Sequence, residues 1–472
     1  MFIIKSPLSR LPEREYIYDV IFGEFLGLPY TLEFDDRSSI EITCPEVNSH
    51  QIRFPDVLLG IEEKKWLTPE SLPKSPSSRM QVGEEMLARL GVADEKGIPA
   101  IYGMSGASEV PLQTSDSGIW CDLDLFGSCF FMLTRYEEVV AAVSRDQHDR
   151  FTSEQSYSVR EGMLHYPIVN VYLELLWSFV ADLWPQLSSF RKSRTIQKLL
   201  SHDVDHPFFA HRRRSRVSLA KESLGDLFKR GDIESGLRKG KMIGRRNRID
   251  RDPYNTFDLL MDLSERAGVK SAFFFITEHT EPRYDGNYSM DDPDISHLLQ
   301  KIQQRGHEVG LHPSYQTYLS SERIKKQYDY LQQAAAIAGI QQEQYGGRQH
   351  FLRWRAPDTW QHWEDAGLHY DSTLGYADRP GFRCGTCYEY PVFNLHTRKR
   401  LRLRERPLIV MEQSLIHSQY EGLNPEQAFE VIHSLYRQCV KHGGEFTLLW
   451  HNSNLVRSRD RRLYRMCMEE LK

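Results

Sequence analysis

The chain has 472 residues and a mass of 55.2 kDa, more than one hydrophobic core usually organises, so we expect two or three domains. Its formal net charge of -5 and pI of about 6.4 exclude a protein whose whole surface binds nucleic acid, because such surfaces are basic. With 26% charged residues, 40% hydrophobic residues and a mean hydropathy of -0.53, the composition is typical of a soluble globular protein.

The amino terminus and the cysteines give an expectation about location. The opening segment MFIIKSPLSR has only a short apolar cluster before Lys5, far less than a secretion signal or a spanning helix requires. Seven scattered cysteines are an odd number and do not suggest a disulfide framework. Cys384 and Cys387 form one CxxC pair, which we interpret as two loop thiols. We therefore expect a cytoplasmic protein.

The hydrophobic pattern divides the chain into two parts. Residues 1–190 mix short apolar runs with turns and end in the apolar helical stretch VNVYLELLWSFVADLWPQL, which predicts a small α/β domain of unknown role. The polar segment 188–197, SSFRKSRTIQ, has no apolar periodicity and is the best linker candidate. We place a second domain at residues 196–472.

In this second domain, apolar runs alternate with helical stretches. The alternation starts with KLLSHDVD, NTFDLLMDLSERAG and SAFFFI, and it ends with LIVMEQSLI, PEQAFEVIHSLYRQCVKHGG and EFTLLWHNS. Repeated βα units predict a parallel sheet covered by helices, either open or closed into a barrel. In both arrangements, functional side chains gather at the carboxyl ends of the strands. The predicted fold class is α/β.

Residues 211–251 interrupt this alternation between the first strand and its helix. The segment is rich in Arg and Lys. One interpretation is a solvated surface excursion without a partner. The other is a basic surface that binds an anionic sugar, such as a nucleotide-linked or phosphorylated one, or the surface of a membrane.

Polar clusters follow four of the predicted strands. If those strands lie side by side, acids, imidazoles and guanidiniums meet in one pocket with the composition of a hydrolytic metal site. The clusters are SHDVDH (201–206), GLHPS (310–314), RQHFLRWRAP (348–357) and LLWHN (448–452).

Asp203 and Asp205 alternate on the first strand, so their side chains face the same side, about 6.5 Å apart. Two carboxylates this close suit a division of labour, with one as a metal ligand and the other as a general base. A salt-bridged pair at a strand end is the simpler alternative. The flanking His202 and His206 favour a functional site.

The ordered set of clusters resembles the motifs of the polysaccharide deacetylase family, of the NodB-like, carbohydrate esterase family 4 type. SHDVD is similar to its first motif, which implies that Asp203 is the catalytic base and Asp205 a metal ligand. RGHEVGLHPS is similar to the second, which implies that His312 binds the metal. The resemblance covers residues 196–472 and implies an irregular (β/α) barrel. With its extra N-terminal domain, the chain is similar to a divergent bacterial subgroup found with surface-polysaccharide genes.

The second motif departs from the family pattern. The family usually has another ligating histidine four residues after the first, and this chain has Gln316 there. His350 could fill the gap from the neighbouring strand, and His206 could do so from the first loop. We prefer His350 because it lies beside the third motif; an ordinary half-buried histidine remains the alternative.

Two further roles follow from the resemblance. RWRAP is similar to the third motif, whose arginine bonds the catalytic base and keeps it ionised, which implies that role for Arg355. FTLLWHN is similar to the fifth motif, which implies that His451 protonates the leaving amine. A structural ion pair for Arg355 is an open alternative.

The fourth motif is poorly matched. Asp371 in HYDSTLGY is the nearest candidate for the acid that tunes the histidine, and Glu412 in LIVMEQSLI is a further pocket candidate, since a carboxylate in an apolar run needs a partner. Trp354, Trp360 and Trp450 could line a sugar site, although aromatic residues at such spacing usually form core. We group Trp354, Asp371, Glu412 and Trp450 as substrate-binding candidates.

The N-terminal part contains two polar clusters, CDLDLFGSCFFMLTRYEE and RDQHDRF. The simplest interpretation is a salt-bridge network between the domains. Its members would be Arg135, Glu137, Asp146, His148 and Arg150.

The resemblance implies a hydrolase that removes an N-acetyl group from an amino sugar in a surface polysaccharide or its precursor. A divalent metal, with zinc as the expected ion, would be held by Asp205, His312 and His350 and would activate water. For a cytoplasmic protein, the expected substrate is nucleotide-linked or lipid-linked. The alternatives are an inactive carbohydrate-binding or scaffold protein, for which Gln316 is the main support, and another hydrolase of non-peptide C–N bonds.

Overall fold

The computed structural model describes residues 1–92, 97–104, 110–141, 143–211, 214–245, 248–286 and 288–472. In the first part of the chain, a six-stranded mixed sheet has the order β2-β1-β3-β4-β8-β7, and β5 pairs with β6 separately. The strands are β1 Phe2–Pro7, β2 Tyr30–Asp35, β3 Ser39–Thr43, β4 Gln51–Pro55, β5 Ser78–Met80, β6 Ile98–Ala100, β7 Leu112–Ser115 and β8 Gly118–Cys121.

The helices of this part pack against the sheet. The longest, at Ile168–Leu183, is the apolar stretch that the sequence predicted, and eleven of its side chains are buried. The helices are α1 Leu11–Tyr18, α2 Glu84–Leu90, α3 Leu125–Leu133, α4 Tyr136–Val140, α5 Tyr157–Arg160 and α6 Ile168–Leu183.

The second part of the chain forms a nine-stranded sheet of order β14-β15-β13-β12-β11-β10-β9-β17-β16. Neighbouring strands are parallel except β14 and β15. The α/β class is therefore confirmed, and the NodB-like barrel stays a prediction. The strands are β9 Gln197–Val204, β10 Ser271–Phe275, β11 Glu308–Leu311, β12 Gly346–Gly347, β13 Tyr370–Asp371, β14 Tyr390–Asn394, β15 Lys399–Glu405, β16 Val410–Met411 and β17 Glu445–Leu449.

Nine helices are described in this second part. Most connect successive strands, as expected of βα units. They are α7 Arg216–Phe228, α8 Ile233–Gly240, α9 Phe257–Arg266, α10 Pro293–Gln304, α11 Ser321–Ile337, α12 Asp358–Ala366, α13 Glu412–Ile416, α14 Pro425–His442 and α15 Ser458–Glu470.

Two predicted strands are much shorter than expected. In HFLRWRAP only the preceding Gly346–Gly347 is a strand, and residues 350–352 form a 3-10 turn. In LIVMEQSLI the strand ends at Met411 and a short helix begins at Glu412. In both places the chain leaves the sheet early, and polar side chains follow immediately at its carboxyl edge.

The two parts of the chain share one continuous hydrophobic core. Tyr16 and Phe130 of the first part both pack on Phe393 of β14, with ring centroids 4.9 and 5.6 Å apart. Buried Glu138 accepts hydrogen bonds from Arg135 and from Arg383, so charged groups also cross the boundary. The two parts of the chain form separate sheets, but one hydrophobic core extends across the boundary between them.

The basic insertion contains a helical hairpin formed by α7 and α8. Residues 212, 213, 246 and 247 of the insertion lie outside the described residues. Ser223 of α7 donates a hydrogen bond to the Gly236 carbonyl of α8 at 2.7 Å, so the two helices approach closely. Among the helices in the described part of the chain, none has the length and apolar character needed to cross a membrane.

Candidate metal centre

A cavity of about 320 Å³ lies at the carboxyl edge of the nine-stranded sheet. The strands β9, β11, β12 and β17 end beside it, because the carboxyl ends of parallel strands meet at one edge. Its lining comes from both parts of the chain. The lining residues are Gln147, His148, Arg150, Asp203, Asp205, Arg283, Tyr284, His312, His350, Phe351, Leu352, Met411, Gln413, Gln419, Tyr420 and His451.

Asp205, His312 and His350 form a group that could hold a metal ion, with one ligand atom from each within 4.8 Å of the others. Asp205 Oδ1 lies 3.1 Å from His312 Nε2 and 3.6 Å from His350 Nε2. Ligand atoms around a tetrahedral ion at about 2.0–2.1 Å are spaced by about 3.3 Å, so these distances fit such an ion. Burial would raise the pKa of Asp205, but the surrounding imidazoles outweigh it and hold the pKa well below its usual value.

Both imidazoles are oriented by hydrogen bonds on their far side. His312 Nδ1 donates to the Arg348 carbonyl at 2.5 Å, and His350 Nδ1 donates to Asp285 Oδ1 at 2.9 Å. Each Nε2 is therefore left as a lone-pair donor directed towards Asp205. This is the support that metal-ligating histidines usually have. The buried Asp205 Oδ1 has no hydrogen-bond partner, which a bound cation would provide.

Asp285, which sequence reasoning missed, is itself held firmly. Its carboxylate accepts hydrogen bonds from the backbone N–H groups of Thr280, Glu281 and Tyr315 at 2.7–2.8 Å. Burial would raise its pKa, but His350 and these N–H groups outweigh burial and lower it. No motif marks Asp285, since it lies in a loop after β10.

Neither Gln316, which occupies the position of the missing histidine, nor His206, the other candidate ligand, belongs to the group found among the described residues. Gln316 is exposed, and its side chain donates to Glu281 at 3.2 Å. His206 lies in the loop after β9 and does not belong to the group found among the described residues. The preferred candidate, His350, is the one that the structure brings to Asp205.

Asp203 is bonded by Arg348 and not by Arg355. Arg348 Nη1 donates to Asp203 Oδ1 at 2.8 Å, and both side chains are buried. The same guanidinium also donates to Ser201 Oγ and to the Ser372 carbonyl. The prediction that Arg355 bonds the base is wrong, because Arg355 is partly exposed and pairs with Asp149 at 2.6 Å.

His451 is paired with Glu412. Its Nδ1 donates to Glu412 Oε1 at 2.7 Å, which leaves Nε2 towards the cavity and 3.7 Å from Asp205 Oδ2. Burial lowers the pKa of His451, but attraction to Glu412, Asp205 and Asp203 outweighs burial and raises the pKa to about 10. A cation beside Asp205 would offset part of that attraction and bring the pKa back towards neutrality.

Asp371 does not reach the histidine for which it was the nearest candidate. It is fully buried at the end of β13, and its carboxylate accepts hydrogen bonds from the backbone and side chain of Thr373. Burial raises its pKa, and also that of neighbouring Glu405. Neither Asp371 nor Glu412 lines the cavity, so their prediction as substrate contacts is wrong; Glu412 acts on the cavity only through His451.

The predicted tryptophans belong to the core. Trp354 packs on Trp360 with ring centroids 4.8 Å apart, and Trp450 packs on Tyr464 at 4.9 Å. All three tryptophans are at most 1% exposed, so their prediction as sugar contacts is wrong. The aromatic residues that line the cavity are Tyr284, Phe351 and Tyr420.

The N-terminal part supplies one wall of the cavity. His148 Nδ1 lies 3.0 Å from the Tyr315 hydroxyl, and the His148 ring packs on Phe351 at 4.7 Å. Arg150 pairs with Asp146 and donates to the Phe351 carbonyl at 3.1 Å. The predicted network between the domains therefore exists in part, but His148 and Arg150 also line the cavity. In the sequence, the polar run RDQHDRF had indicated these residues as candidates for a contact between the domains.

The first part of the chain matches the model of a protein family. Residues 2–185 match DUF7033, a family of unknown function. This match covers less than half of the chain. A comparison with curated proteins gives no match.

Three solved structures are similar to more than half of the chain. A candidate polysaccharide deacetylase from Mycobacterium smegmatis is 18% identical with a TM-score of 0.36, over 59% of this chain and 84% of that one. The allantoinase Puue is 12% identical with a TM-score of 0.34, over 58% and 83%. A candidate polysaccharide deacetylase from Pseudomonas aeruginosa PAO1 is 14% identical with a TM-score of 0.33, over 58% and 84%. At this similarity, their activities do not transfer to this chain.

Proposed function

We propose that the chain is a metal-dependent hydrolase that removes the N-acetyl group of an amino sugar. One observation carries this proposal. A group able to hold a metal, a carboxylate paired with arginine and a histidine paired with glutamate converge on one cavity, and each has a buried partner. Metal-assisted hydrolysis of an amide uses an ion, a general base and a general acid together.

Asp205, His312 and His350 would hold the ion. One carboxylate and two imidazoles are a donor set suited to zinc and to other first-row divalent metals. When bound, such an ion supplies Lewis-acid polarisation of the acetamide carbonyl and lowers the pKa of water. The outward hydrogen bonds of the two imidazoles support this assignment, because they fix the Nε2 atoms before the ion arrives.

Asp203 would be the general base. It would accept a proton from the water that attacks the acetamide carbon. The guanidinium of Arg348 holds Oδ1 in place and stabilises the carboxylate charge, while Oδ2 lies on the side of His312, 3.7 Å from its Nε2. Arg348 thereby takes the positioning role that the motif resemblance assigned to Arg355.

His451 would be the general acid. As the carbon–nitrogen bond breaks, its Nε2 would donate a proton to the departing amine, and acetate and the amino sugar would leave. Glu412 stabilises the imidazolium form and fixes which nitrogen faces the cavity. A pure binding protein does not need base, acid and ion group together.

The cavity walls support a sugar ligand with an anionic group. Tyr284 and Phe351 offer rings against which a sugar face can pack, and Arg283 places positive charge at the same wall. Arg150 adds guanidinium N–H donors there but is paired with Asp146. A nucleotide-linked or lipid-linked precursor of a surface polysaccharide, in the cytoplasm, fits this combination. The alternative of an inactive carbohydrate-binding protein was supported by the missing histidine at Gln316. His350 offers a third ligand atom in its place.

Release of acetate tests the proposal. We expect the metal-loaded protein to release acetate from an N-acetylated amino sugar carrying a diphosphate, and Asp203→Asn to abolish release while retaining the ion. Asp149→Asn, which removes the partner of Arg355 outside the cavity lining, is the matched control and should stay active. Equal acetate release by Asp203→Asn would contradict the assignment of the base.

A further inference from the structure

The helical hairpin of α7 and α8 exposes an unusual number of apolar side chains. Val217, Leu224 and Phe228 repeat on one face of α7, and Ile233 and Leu237 repeat on α8. Phe228 and Ile233 stand on either side of the turn, 82% and 64% exposed. The other three are 50–63% exposed. Apolar side chains that cluster in this way on a surface usually mark a binding site.

The inner face of the hairpin is polar and well bonded. Glu222 accepts hydrogen bonds from Lys239 and from Tyr254, each at 2.8 Å. On α8, Glu234 accepts a hydrogen bond from the Ser458 backbone at 2.9 Å. These polar contacts, together with the burial of Leu219 in a small apolar cluster, fix the hairpin on the rest of the chain. The exposed apolar residues of α7 and α8 take no part in that contact.

In the segment that contains the hairpin, the basic side chains are more exposed than the acidic ones, although Arg230 and Arg238 pair with acids of the hairpin. Four of the five acids in residues 211–251 are buried or half-buried, and the fifth, Asp250, pairs with Arg248. Nine described basic residues of the segment are exposed. They are Arg216, Lys221, Lys229, Arg230, Arg238, Lys241, Arg245, Arg248 and Arg251.

We propose that this outer face of the hairpin docks on the surface of an anionic lipid bilayer. Apolar side chains among exposed lysines and arginines are the pattern of an interfacial helix, because the apolar groups enter the headgroup layer while the cations meet lipid phosphates. A second copy of the chain is a poor occupant, since two strongly basic faces repel each other.

The hairpin lies beside the candidate metal centre. Gln413 lines the metal cavity and also a second cleft, which is lined by Asp226, Lys239 and His417 and lies against the hairpin. Docking would keep the metal cavity on a part of the chain that adjoins the bilayer-bound hairpin, so that a lipid-linked sugar could be supplied from the same bilayer. This consequence rests on the proposed function, whereas the docking itself does not.

Vesicle flotation of the full chain tests the proposal. We expect it to float with vesicles of phosphatidylcholine and phosphatidylglycerol, and not with phosphatidylcholine alone. Phe228→Ser/Ile233→Ser should lower partition roughly tenfold or more, because two apolar side chains no longer leave water. Lys221→Glu/Lys229→Glu should lower it by a similar factor and reduce its sensitivity to salt.

Matched controls separate the hairpin from general effects. Ile337→Ser removes a 77% exposed apolar side chain at the end of α11, and Lys399→Glu reverses an exposed charge on β15; neither should change partition. Binding to neither vesicle, equal binding to both, or unchanged binding of the hairpin variants would overturn the proposal. So would a dimer that dissociates in Phe228→Ser/Ile233→Ser, since a second copy would then occupy the face. Flotation without acetate release would refute only the proposed function.

Discussion

Arg348 Nη1 donates a hydrogen bond to Asp203 Oδ1 at 2.8 Å, and both side chains are withdrawn from solvent. The guanidinium is held on its other sides by Ser201 and Ser372, so it has little freedom to turn away. The pair fixes one carboxylate oxygen and leaves the other towards the metal group. A general base has to be held in this way to act on a defined water.

The first prediction concerns this arginine. Arg348→Lys keeps a positive charge but loses the forked geometry, so we expect acetate release to fall on the order of a hundredfold. Arg355→Lys changes an arginine that pairs with Asp149 and should leave the rate within a few-fold of wild type. Steady-state kinetics of the two variants at equal metal content measure the difference. Similar losses in both would contradict the assignment of Arg348.

The second prediction concerns the partner of His451. Glu412→Gln removes the charge that stabilises the imidazolium, so we expect turnover to fall about tenfold to a hundredfold with little change in KM. Asp371→Asn is the control, because that carboxylate bonds Thr373 and not the histidine. A greater loss of turnover in Asp371→Asn than in Glu412→Gln would reverse the assignment.

The third prediction concerns the support of the metal group. Asp285→Asn weakens the acceptor of His350 Nδ1–H, so we expect the affinity for the ion to fall about tenfold to a hundredfold. Titration calorimetry measures the affinity, and circular dichroism checks that the variant is folded. Glu281→Gln, which changes a half-buried carboxylate nearby that bonds Gln316, should bind the ion as the wild type does. An unchanged affinity in Asp285→Asn would exclude a supporting role.

The fourth prediction concerns pH and the hairpin. Burial would raise the pKa of Glu222, but Lys239 and Arg214 outweigh burial and lower it to about 2. Because the pKa is lower in the folded state than in the unfolded one, the stabilisation is complete above about pH 4.5 and lost as the pH falls towards about 2. We expect a loss on the order of 2 kcal/mol for this partly exposed group.

Hydrogen exchange of the α7 and α8 amides measures this loss. Protection should decline as the pH falls through that range, after correction for the intrinsic rate. In Glu222→Gln the carboxyl is absent, so protection should be lower at neutral pH and should vary less with pH. An identical pH dependence in the two proteins would contradict the role of Glu222.

The sequence predicted the residues that directly follow long apolar strands. Asp203, Asp205, His312 and His451 stand at or just beyond the ends of β9, β11 and β17, where the alternation of the strand fixes the direction of each side chain. The α/β alternation was readable for the same reason. Both features depend only on residues that are neighbours in the sequence, so a single sequence is enough to predict them.

The arginine was misassigned because β12 is only two residues long. A two-residue strand shows no alternation of inward and outward side chains. The sequence therefore could not indicate whether Arg348 or Arg355 faces Asp203. The apolar run LIVMEQSLI predicts Glu412 within a strand, but the strand ends one residue before it, and from the first turn of a short helix Glu412 accepts a hydrogen bond from His451. Asp285 reaches the site from a loop that no motif marks, and the polar run RDQHDRF indicated His148 as a contact between the domains but not as part of the cavity lining.

The metal content of the purified protein tests the central claim most directly. We would compare the wild type with His312→Ala, His350→Ala and Gln316→Ala. The account predicts nearly one divalent ion per wild-type chain, lost in the two histidine variants and kept in Gln316→Ala. Absence of bound metal from the wild type after incubation with zinc, cobalt or nickel, or full retention in His350→Ala, would contradict it.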